Sequence, residues 1–329
     1  MELQGKPRRL GIVLLQLGGP ESLDDVQPFL EDMFRDRDLF DLPIPDWLRK
    51  WIARRASLRR ASSVRSLYAS IGGKSPIGDF TRQQAKLLEY ELNPGLPSQV
   101  FVSMRYGRNT AQDAIAAIRE SGCDRILLLP LFPQYCAATT GSSINEWNRH
   151  WRASGLRLPI QSIDCYYSSP LFVQAIVERI EEARSRLPPG APAHLVFSAH
   201  GLPESFINRG DPYQRQIEET VRLVVARCRS GEPHTLCYQS RVGPQRWLEP
   251  SLTDTLRRLG ESGTESVLVV PISFVSDHLE TLSEIDIEAR QHAAEWGVRS
   301  FAIMPGLNDS PTFIRSLAEL VRENANREQ

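Results

Sequence analysis

The sequence lacks a long apolar run and lacks an excess of charge of either sign. Nowhere do eighteen apolar residues follow one another, so no membrane-spanning helix is predicted. Thirty-nine Lys and Arg residues stand against forty Asp and Glu residues, which leaves a net charge of -1. Because no overall positive field is present, nucleic acid is not expected as a partner. Any electrostatic function must therefore be local.

Cysteine is also scarce, and no C-x-x-C pair occurs among the five cysteines. A zinc ribbon and a thioredoxin-like site are thus not indicated, and reduced thiols in a cytosolic protein are the preferred interpretation. The N-terminus places basic residues before an apolar run of about seven residues, but no A-x-A site follows and acidic residues come at once. We therefore expect a first buried strand there rather than a signal peptide.

What the chain does contain is a repeated alternation of short apolar runs and amphipathic segments. Such runs are typical of strands buried on both faces of a parallel sheet, and they cover 9–17, 99–104, 125–132, 193–199, 234–240, 265–274 and 299–304. The amphipathic segments cover 109–121, 170–186, 213–229, 249–260, 279–296 and 311–325. This alternation predicts an α/β fold, and 329 residues favour two doubly wound domains of about 150 residues each.

In such sheets ligands bind beyond the carboxyl ends of the strands, and polar residues follow two of the predicted strands there. His200 ends the fourth run, and Asp277, His278 and Glu280 follow the sixth. A helix dipole accounts for carboxylates in a first turn. It does not account for further acidic residues at i+4 and i+8 from Glu280, with no basic partner for Glu280 or Glu284. A solvated acidic face and a path for cations both remain open.

The first half contains a contrasting basic segment, with no acidic residue from 47 to 78. Apolar residues such as Trp47, Trp51 and Leu58 alternate with its arginines. A solvated basic helix is one interpretation, and binding of an anionic ligand or a membrane surface is the other.

Several blocks of the sequence, taken in order, resemble the ferrochelatase family, which inserts ferrous iron into a porphyrin in haem biosynthesis. These blocks are "LLQLGGPESLDDVQPFLEDMF", "IGGKSPI", "MRYG", "FPQYCAATTGSS", "FSAHGLPESFINRGDPY", "YQSRVGPQRWLEP" and "PISFVSDHLETLSEIDIE". The resemblance implies a lyase that converts protoporphyrin IX and ferrous iron into protohaem with release of two protons, the last step of the pathway. It also implies two Rossmann-like, chelatase-type domains with the active-site cleft between them. We expect the first domain to comprise 1–135 and the C-terminal helix 308–329, and the second to comprise 136–307.

The resemblance also assigns roles to individual residues. It implies that His200 and Glu280 bind the metal and handle protons. Supporting positions on a proton or metal path would be Asp277, His278 and Glu284. Residues of the porphyrin pocket would be Tyr68, Ser75, Arg105 and Tyr106, and we add Trp247 and Phe274 as candidates for its apolar wall.

Ferrous iron and a porphyrin are then the substrates, and no permanently bound cofactor is expected. No cysteine follows Cys237, so the iron–sulfur cluster of eukaryotic members is not expected, whereas a cluster on internal cysteines such as Cys228 and Cys237 stays open. We expect a cytoplasmic enzyme, with peripheral contact to the inner membrane through residues 47–67 as an open alternative. Rival functions are a coproporphyrin III ferrochelatase, a cobalt or other tetrapyrrole chelatase, and a non-enzymatic haem or iron carrier.

Overall fold

A computed structural model describes residues 9–40, 43–188, 192–228, 231–241 and 245–325. The chain forms two compact units, one of Met1–Phe132, Ala137–Cys165 and Ile314–Gln329 and the other of Pro133–Cys136 and Tyr166–Phe313. Residues 1–8, which include most of the basic N-terminal stretch, lie outside the described residues.

The first unit contains a four-stranded parallel sheet of order β2-β1-β3-β4. Its strands are β1 (Leu10–Gln16), β2 (Ser98–Met104), β3 (Arg125–Pro130) and β4 (Ile160–Ser162). Its helices are α1 (Val26–Arg35), α2 (Asp46–Ser70), α3 (Ile77–Leu92), α4 (Ala111–Ser121) and α5 (Ser142–Ser154), with a π-helix at Ala137–Gly141. Every residue of β1 is buried, as expected for a central strand with both faces covered.

The second unit contains a parallel sheet of order β6-β5-β7-β8. Its strands are β5 (His194–His200), β6 (His234–Gln239), β7 (Ser266–Pro271) and β8 (Ser300–Ile303). Its helices are α6 (Pro170–Arg184), α7 (Glu204–Asn208), α8 (Tyr213–Val225), α9 (Leu252–Glu261) and α10 (Arg290–Glu295), with a π-helix at Glu280–Ala289. The last helix, α11 (Pro311–Ala325), begins in this unit and continues into the first.

The predicted fold class is confirmed, and all seven predicted strands are present. The prediction missed β4 because this strand has only three residues, "IQS", all of them at least partly exposed, and so gives no apolar run. The π-helical form of Ala137–Gly141 and Glu280–Ala289 was also not predicted. The i to i+5 hydrogen bonds of a π-helix leave hydrophobic positions close enough to α-helical spacing that the sequence pattern does not separate the two kinds of helix.

The two compact units differ from the predicted domain boundaries mainly in the segment 137–165, which the sequence analysis placed in the second domain. This segment belongs to the first unit because β4 pairs in parallel with β3, with Ile160 opposite Ile126. Trp147 and Trp151 stack at a centroid distance of 5.8 Å and are buried in the same core as Val13 on β1.

The strand order of the second sheet defines where a ligand site is expected. Strand β6 lies on one side of β5 and β7 on the other. The chain therefore continues from β5 to β6 on one side and then crosses to β7 on the opposite side. A crevice forms at the carboxyl end of the sheet at such a switch point. His200 ends β5 and Pro271 ends β7, so the polar residues that follow each strand meet there.

Candidate active site

Three contacts fix His200 at the end of β5. Its backbone N–H donates to the Ser273 hydroxyl at 3.0 Å, and its carbonyl accepts from the Tyr213 hydroxyl at 3.0 Å. The ring nitrogen Nδ1 lies 2.7 Å from the Gly201 carbonyl oxygen. Because a carbonyl only accepts, Nδ1 carries the hydrogen, and in the neutral ring Nε2 keeps its lone pair.

The lone pair of His200 Nε2 has Glu280 as its neighbour, with Oε1 at 3.7 Å. Both side chains are accessible, at 41% and 29% exposure respectively. Burial acts to raise the pKa of Glu280, but the His200 and His278 imidazoles in their protonated forms, together with hydrogen bonds from Ser240 and Gln239, outweigh it and lower that pKa. Glu280 is therefore an ionised carboxylate beside an imidazole, a pair of ligands that suits ferrous iron.

A second carboxylate is coupled to the first through Ser240. The Ser240 backbone N–H donates to Glu284 Oε1 at 2.9 Å, and its hydroxyl lies 2.6 Å from Glu284 Oε2 and 3.1 Å from Glu280 Oε2. Burial and the charge of Glu280 raise the pKa of Glu284, in opposition to the Ser240 hydrogen bonds. The two carboxylates thus have pKa values moved in opposite directions, an arrangement that separates metal and proton roles.

Sequence reasoning missed Ser240 and Gln239. Both come at the end of β6, within the block "YQSRVGPQRWLEP", and the Gln239 amide lies 3.3 Å from Glu280 Oε2. The rule that placed His200 at a strand end applies equally to β6 and is the signal that could have found them.

His278 is buried and packs on the ring of Phe274 at a centroid distance of 4.4 Å. Its Nδ1 donates to the Ser276 carbonyl at 3.1 Å, and burial lowers the pKa of its imidazole. The Phe274 and His200 rings are nearly perpendicular, with a centroid distance of 6.2 Å. Phe274 therefore packs against both histidines.

Asp277 is bound to its own surroundings. Its carboxylate accepts hydrogen bonds from the Gly306 N–H at 3.1 Å, the Asn308 amide at 2.7 Å and the Thr281 hydroxyl at 3.2 Å. These contacts involve both carboxylate oxygens, so Asp277 fixes the start of the π-helix.

Trp247 lies against the residue that follows His200. A Cβ added to Gly201 would come within 3.2 Å of the Trp247 ring and within 2.5 Å of the Gln239 carbonyl oxygen. Only glycine allows this approach, which brings the ring of Trp247 next to the His200 backbone.

Four predicted pocket residues belong to the first unit, and two of them form a buried ionic cluster. Arg105 and Tyr106 follow β2, and both bond to the Asp36 carboxylate, Arg105 as an ion pair and Tyr106 through its hydroxyl. Arg105 also lies 3.2 Å from Glu146. Burial and the charge of Asp36 raise the pKa of the Tyr106 phenol.

Of the other two, Tyr68 lies in the last turn of α2 and Ser75 lies in the connection between α2 and α3. Both are buried, at 5% and 4% exposure. The Tyr68 carbonyl accepts from the Gly73 N–H at 2.8 Å, and the Ser75 N–H donates to the Pro20 carbonyl at 2.8 Å. A Cβ on Gly19 would lie 2.7 Å from the Ser75 hydroxyl, so this serine is packed tightly against the loop after β1.

Within the described ranges, no three His, Cys, Asp or Glu side chains come together as a metal-binding group. His200 and Glu280 would supply two ligands. Burial raises the pKa of the Cys237 thiol to about 12 and that of the Cys228 thiol to about 11, which disfavours the thiolate that a metal requires.

A family model described as Ferrochelatase matches residues 9–325. The chain is 46% identical over 314 residues to a protein named Ferrochelatase from Geotalea daltonii, covering 95% of this chain and 97% of the relative. It is 44% identical over 322 residues to the Ferrochelatase of Geotalea uraniireducens, covering 98% of this chain and all of that relative.

The fold is also similar to that of SirB from Bacillus subtilis, a structure containing Fe3+. The TM-score is 0.56 at 13% identity, and the match covers 98% of this chain and 97% of that one. This likeness is one of fold: two parallel sheets with flanking helices, in a chelatase architecture.

The chain belongs to the ferrochelatase family. It is a lyase of haem biosynthesis that inserts ferrous iron into a porphyrin, as the resemblance implied.

Proposed function

We propose that His200 and Glu280 form the site at which ferrous iron replaces the two pyrrole protons of protoporphyrin IX. The observation that carries this proposal is the lone pair of His200 Nε2, placed 3.7 Å from a carboxylate whose pKa is lowered. An imidazole with its Nε2 lone pair free and an ionised carboxylate at the same edge of the sheet supply a proton acceptor and an anionic metal ligand together.

The reaction removes two pyrrole N–H protons and forms bonds from iron to the ring nitrogens as water leaves the metal. His200 Nε2 takes a pyrrole proton, and ionised Glu280 holds the iron cation while it is desolvated. The second pyrrole proton passes by way of the Glu280 carboxylate and the Ser240 hydroxyl to Glu284, whose pKa is raised, and this leaves Glu280 ionised for the iron. The opposite allocation, with His200 on the metal and Glu280 on the proton, is the competing outcome of the same experiment.

The test is anaerobic, continuous absorbance of protoporphyrin IX with ferrous iron for wild type, His200→Ala, Glu280→Gln and Glu284→Gln. We expect His200→Ala and Glu280→Gln to lower turnover strongly while folded, with enough residual turnover to measure KM, and Glu284→Gln to lower turnover less. A raised KM for iron in Glu280→Gln alone supports the stated allocation. Full turnover in either His200→Ala or Glu280→Gln would refute the proposed site.

The choice of protoporphyrin IX rests on the resemblance of the block at 238–250 to that of family members that use this porphyrin. The competing substrate, coproporphyrin III, carries four carboxylates instead of two. Comparison of kcat/KM for the two porphyrins decides between them, and a higher value for coproporphyrin III would overturn the choice. Binding of either porphyrin without turnover would indicate a carrier.

Pocket roles are proposed for Tyr68, Ser75, Arg105, Tyr106, Trp247 and Phe274. The support is strongest for Phe274 and Trp247, since one packs on the ring of His200 and the other on Gly201. Arg105 and Tyr106 are buried on Asp36, which supports a role in shaping the first unit.

Peripheral membrane contact is proposed for the exposed side of α2, within residues 47–67. Trp47, Trp51 and Leu58 are 70%, 57% and 58% exposed, and the Arg55 guanidinium stacks on Trp51. Exposed aromatic rings among arginines suit an anionic lipid surface. No helix in the described part of the chain combines the length and the apolar character that a membrane crossing needs. A protein held in this way would be a cytoplasmic enzyme at the inner-membrane surface.

Flotation with phosphatidylglycerol vesicles and with phosphatidylcholine vesicles tests this contact. We expect wild type to float with the anionic vesicles and Trp51→Ala to float less. Tyr90→Ala, which changes an aromatic residue of α3 that is 80% exposed, is the matched control and should float as wild type does. Equal flotation of all three proteins would contradict the proposal.

A further inference from the structure

Asn308 adopts a backbone conformation that residues other than glycine take uncommonly. Its φ is +45°, in the left-handed region, yet it is only 7% exposed and lies in the connection between β8 and α11. Its N–H donates to the Val275 carbonyl at 2.8 Å. A left-handed residue held in place by surrounding contacts often marks a functional constraint.

The side-chain amide of Asn308 makes a two-point contact with Asp277. Asn308 Nδ2 donates to Asp277 Oδ2 at 2.7 Å, and the Asp277 N–H donates to Asn308 Oδ1 at 2.9 Å. One amide therefore holds both the backbone and the carboxylate of Asp277. Glu280, the proposed iron ligand, comes three residues later at the first position of the π-helix.

The neighbouring Gly306 lets the two segments approach closely. Its N–H donates to Asp277 Oδ1 at 3.1 Å. A Cβ at this position would lie 2.7 Å from the Asp277 nitrogen and 2.8 Å from Asn308 Oδ1. Any larger residue would separate Asn308 from Asp277.

Thr281 continues the connection into the π-helix. Its hydroxyl donates to Asp277 Oδ1 at 3.2 Å and lies 3.0 Å from the His278 N–H, which donates to it. The first turn that carries His278 and Glu280 is thereby tied to Asp277 on one side and to Asn308 beyond it.

We propose that Asn308 is a positioning residue for iron binding, which holds Asp277 and thereby sets the place of the Glu280 carboxylate beside His200. The inference rests on the proposed role of Glu280 and extends it to the connection after β8. Groups that orient a metal ligand without touching the metal commonly change metal affinity or activity about 10- to 100-fold when removed.

Two substitutions distinguish the effect of losing the side-chain amide from the effect of backbone strain. Asn308→Gly removes the amide and adopts the left-handed conformation freely, whereas Asn308→Ala removes the amide and keeps the strain of a Cβ. We expect the glycine variant to be the more stable in urea. Both should raise KM for ferrous iron about tenfold or more and leave KM for the porphyrin unchanged.

Gly306→Ala provides a second, independent perturbation. Its Cβ displaces the Asp277 backbone and the Asn308 amide, so it should give the same selective rise in KM for iron. Asn109→Gly is the matched control, because Asn109 has a φ of +57° in the first unit. This control should alter stability without altering KM for iron.

The comparison with Glu280→Gln distinguishes failure of the inference from failure of the proposed site. If Glu280→Gln raises KM for iron but Asn308→Gly and Gly306→Ala do not, the positioning role is wrong and the site stands. If Glu280→Gln also leaves KM for iron unchanged, the proposed iron ligand is wrong, and the inference fails with it. Equal changes in the KM values for iron and porphyrin would show a structural role only.

Discussion

Substitution of Asp36 by Asn should destabilise the first unit strongly, although it removes only one charge. The Arg105 and Asp36 side chains are 6% and 3% exposed, and the Asp36 carboxylate also accepts from the Tyr106 hydroxyl and from the Asp38 N–H at 2.9 Å. The carboxylate of Asp36 accepts hydrogen bonds from all three of these groups. The NH2 group of an asparagine is itself a donor, so it would face a donor and could not accept a hydrogen bond from it. A buried charge would then lack its closest partner.

Removing one member of a buried ion pair costs about 3–5 kcal/mol. Glu146 at 3.2 Å and Asp38 at 3.6 Å remain beside Arg105, so we expect the lower end of that range, about 3 kcal/mol. Tyr106→Phe removes one hydrogen bond to a carboxylate and should cost about 1.5 kcal/mol.

The assay is urea unfolding followed by far-ultraviolet circular dichroism and tryptophan fluorescence. The control is Asp46→Asn, which breaks an equally close pair with Arg37 at the surface, where the two side chains are 65% and 63% exposed. Solvent screens such a pair, so little change is expected there. If Asp36→Asn and Asp46→Asn lowered the free energy of unfolding by the same amount, the reasoning from burial would be refuted.

Two further predictions concern the second unit. Ser240→Ala removes the hydroxyl between Glu280 and Glu284, and a hydrogen bond to a charged group is worth about 1.5–3 kcal/mol, so turnover should fall about tenfold or more at unchanged porphyrin KM. Wild-type turnover in this variant would exclude the hydroxyl from the path. Burial lowers the pKa of His194 below its usual 6.5, so the unfolded chain binds more protons there and wild type loses stability as pH falls below 6.5. Between pH 7 and 5, the free energy of unfolding of His194→Gln, measured by urea titration, should fall less steeply than that of wild type. The control His292→Gln should fall as wild type does. An identical slope for His194→Gln and wild type would contradict the lowered pKa of His194.

Much of the fold and part of the site could be predicted from local patterns. Among the described residues, seven of the eight strands gave nearly continuous apolar runs, because a parallel strand covered on both faces needs apolar side chains at nearly every position. His200 and Glu280 were predicted as candidate site residues because ligands bind beyond the ends of such strands. Strand β4 gave no signal because an edge strand of three partly exposed residues needs no apolar run.

The sequence by itself determined the alternation of strands and helices, the family blocks and the strand ends that carry His200 and Glu280. Only the tertiary structure decided which nitrogen of His200 meets Glu280, and that Ser240 joins two carboxylates from a position 44 residues before Glu284. It also decided that Asp277 pairs with Asn308, 31 residues further along the chain. These contacts join segments that follow different parallel strands of the same sheet. Pairing of the strands, and not any local periodicity, brings such segments to one edge of the sheet.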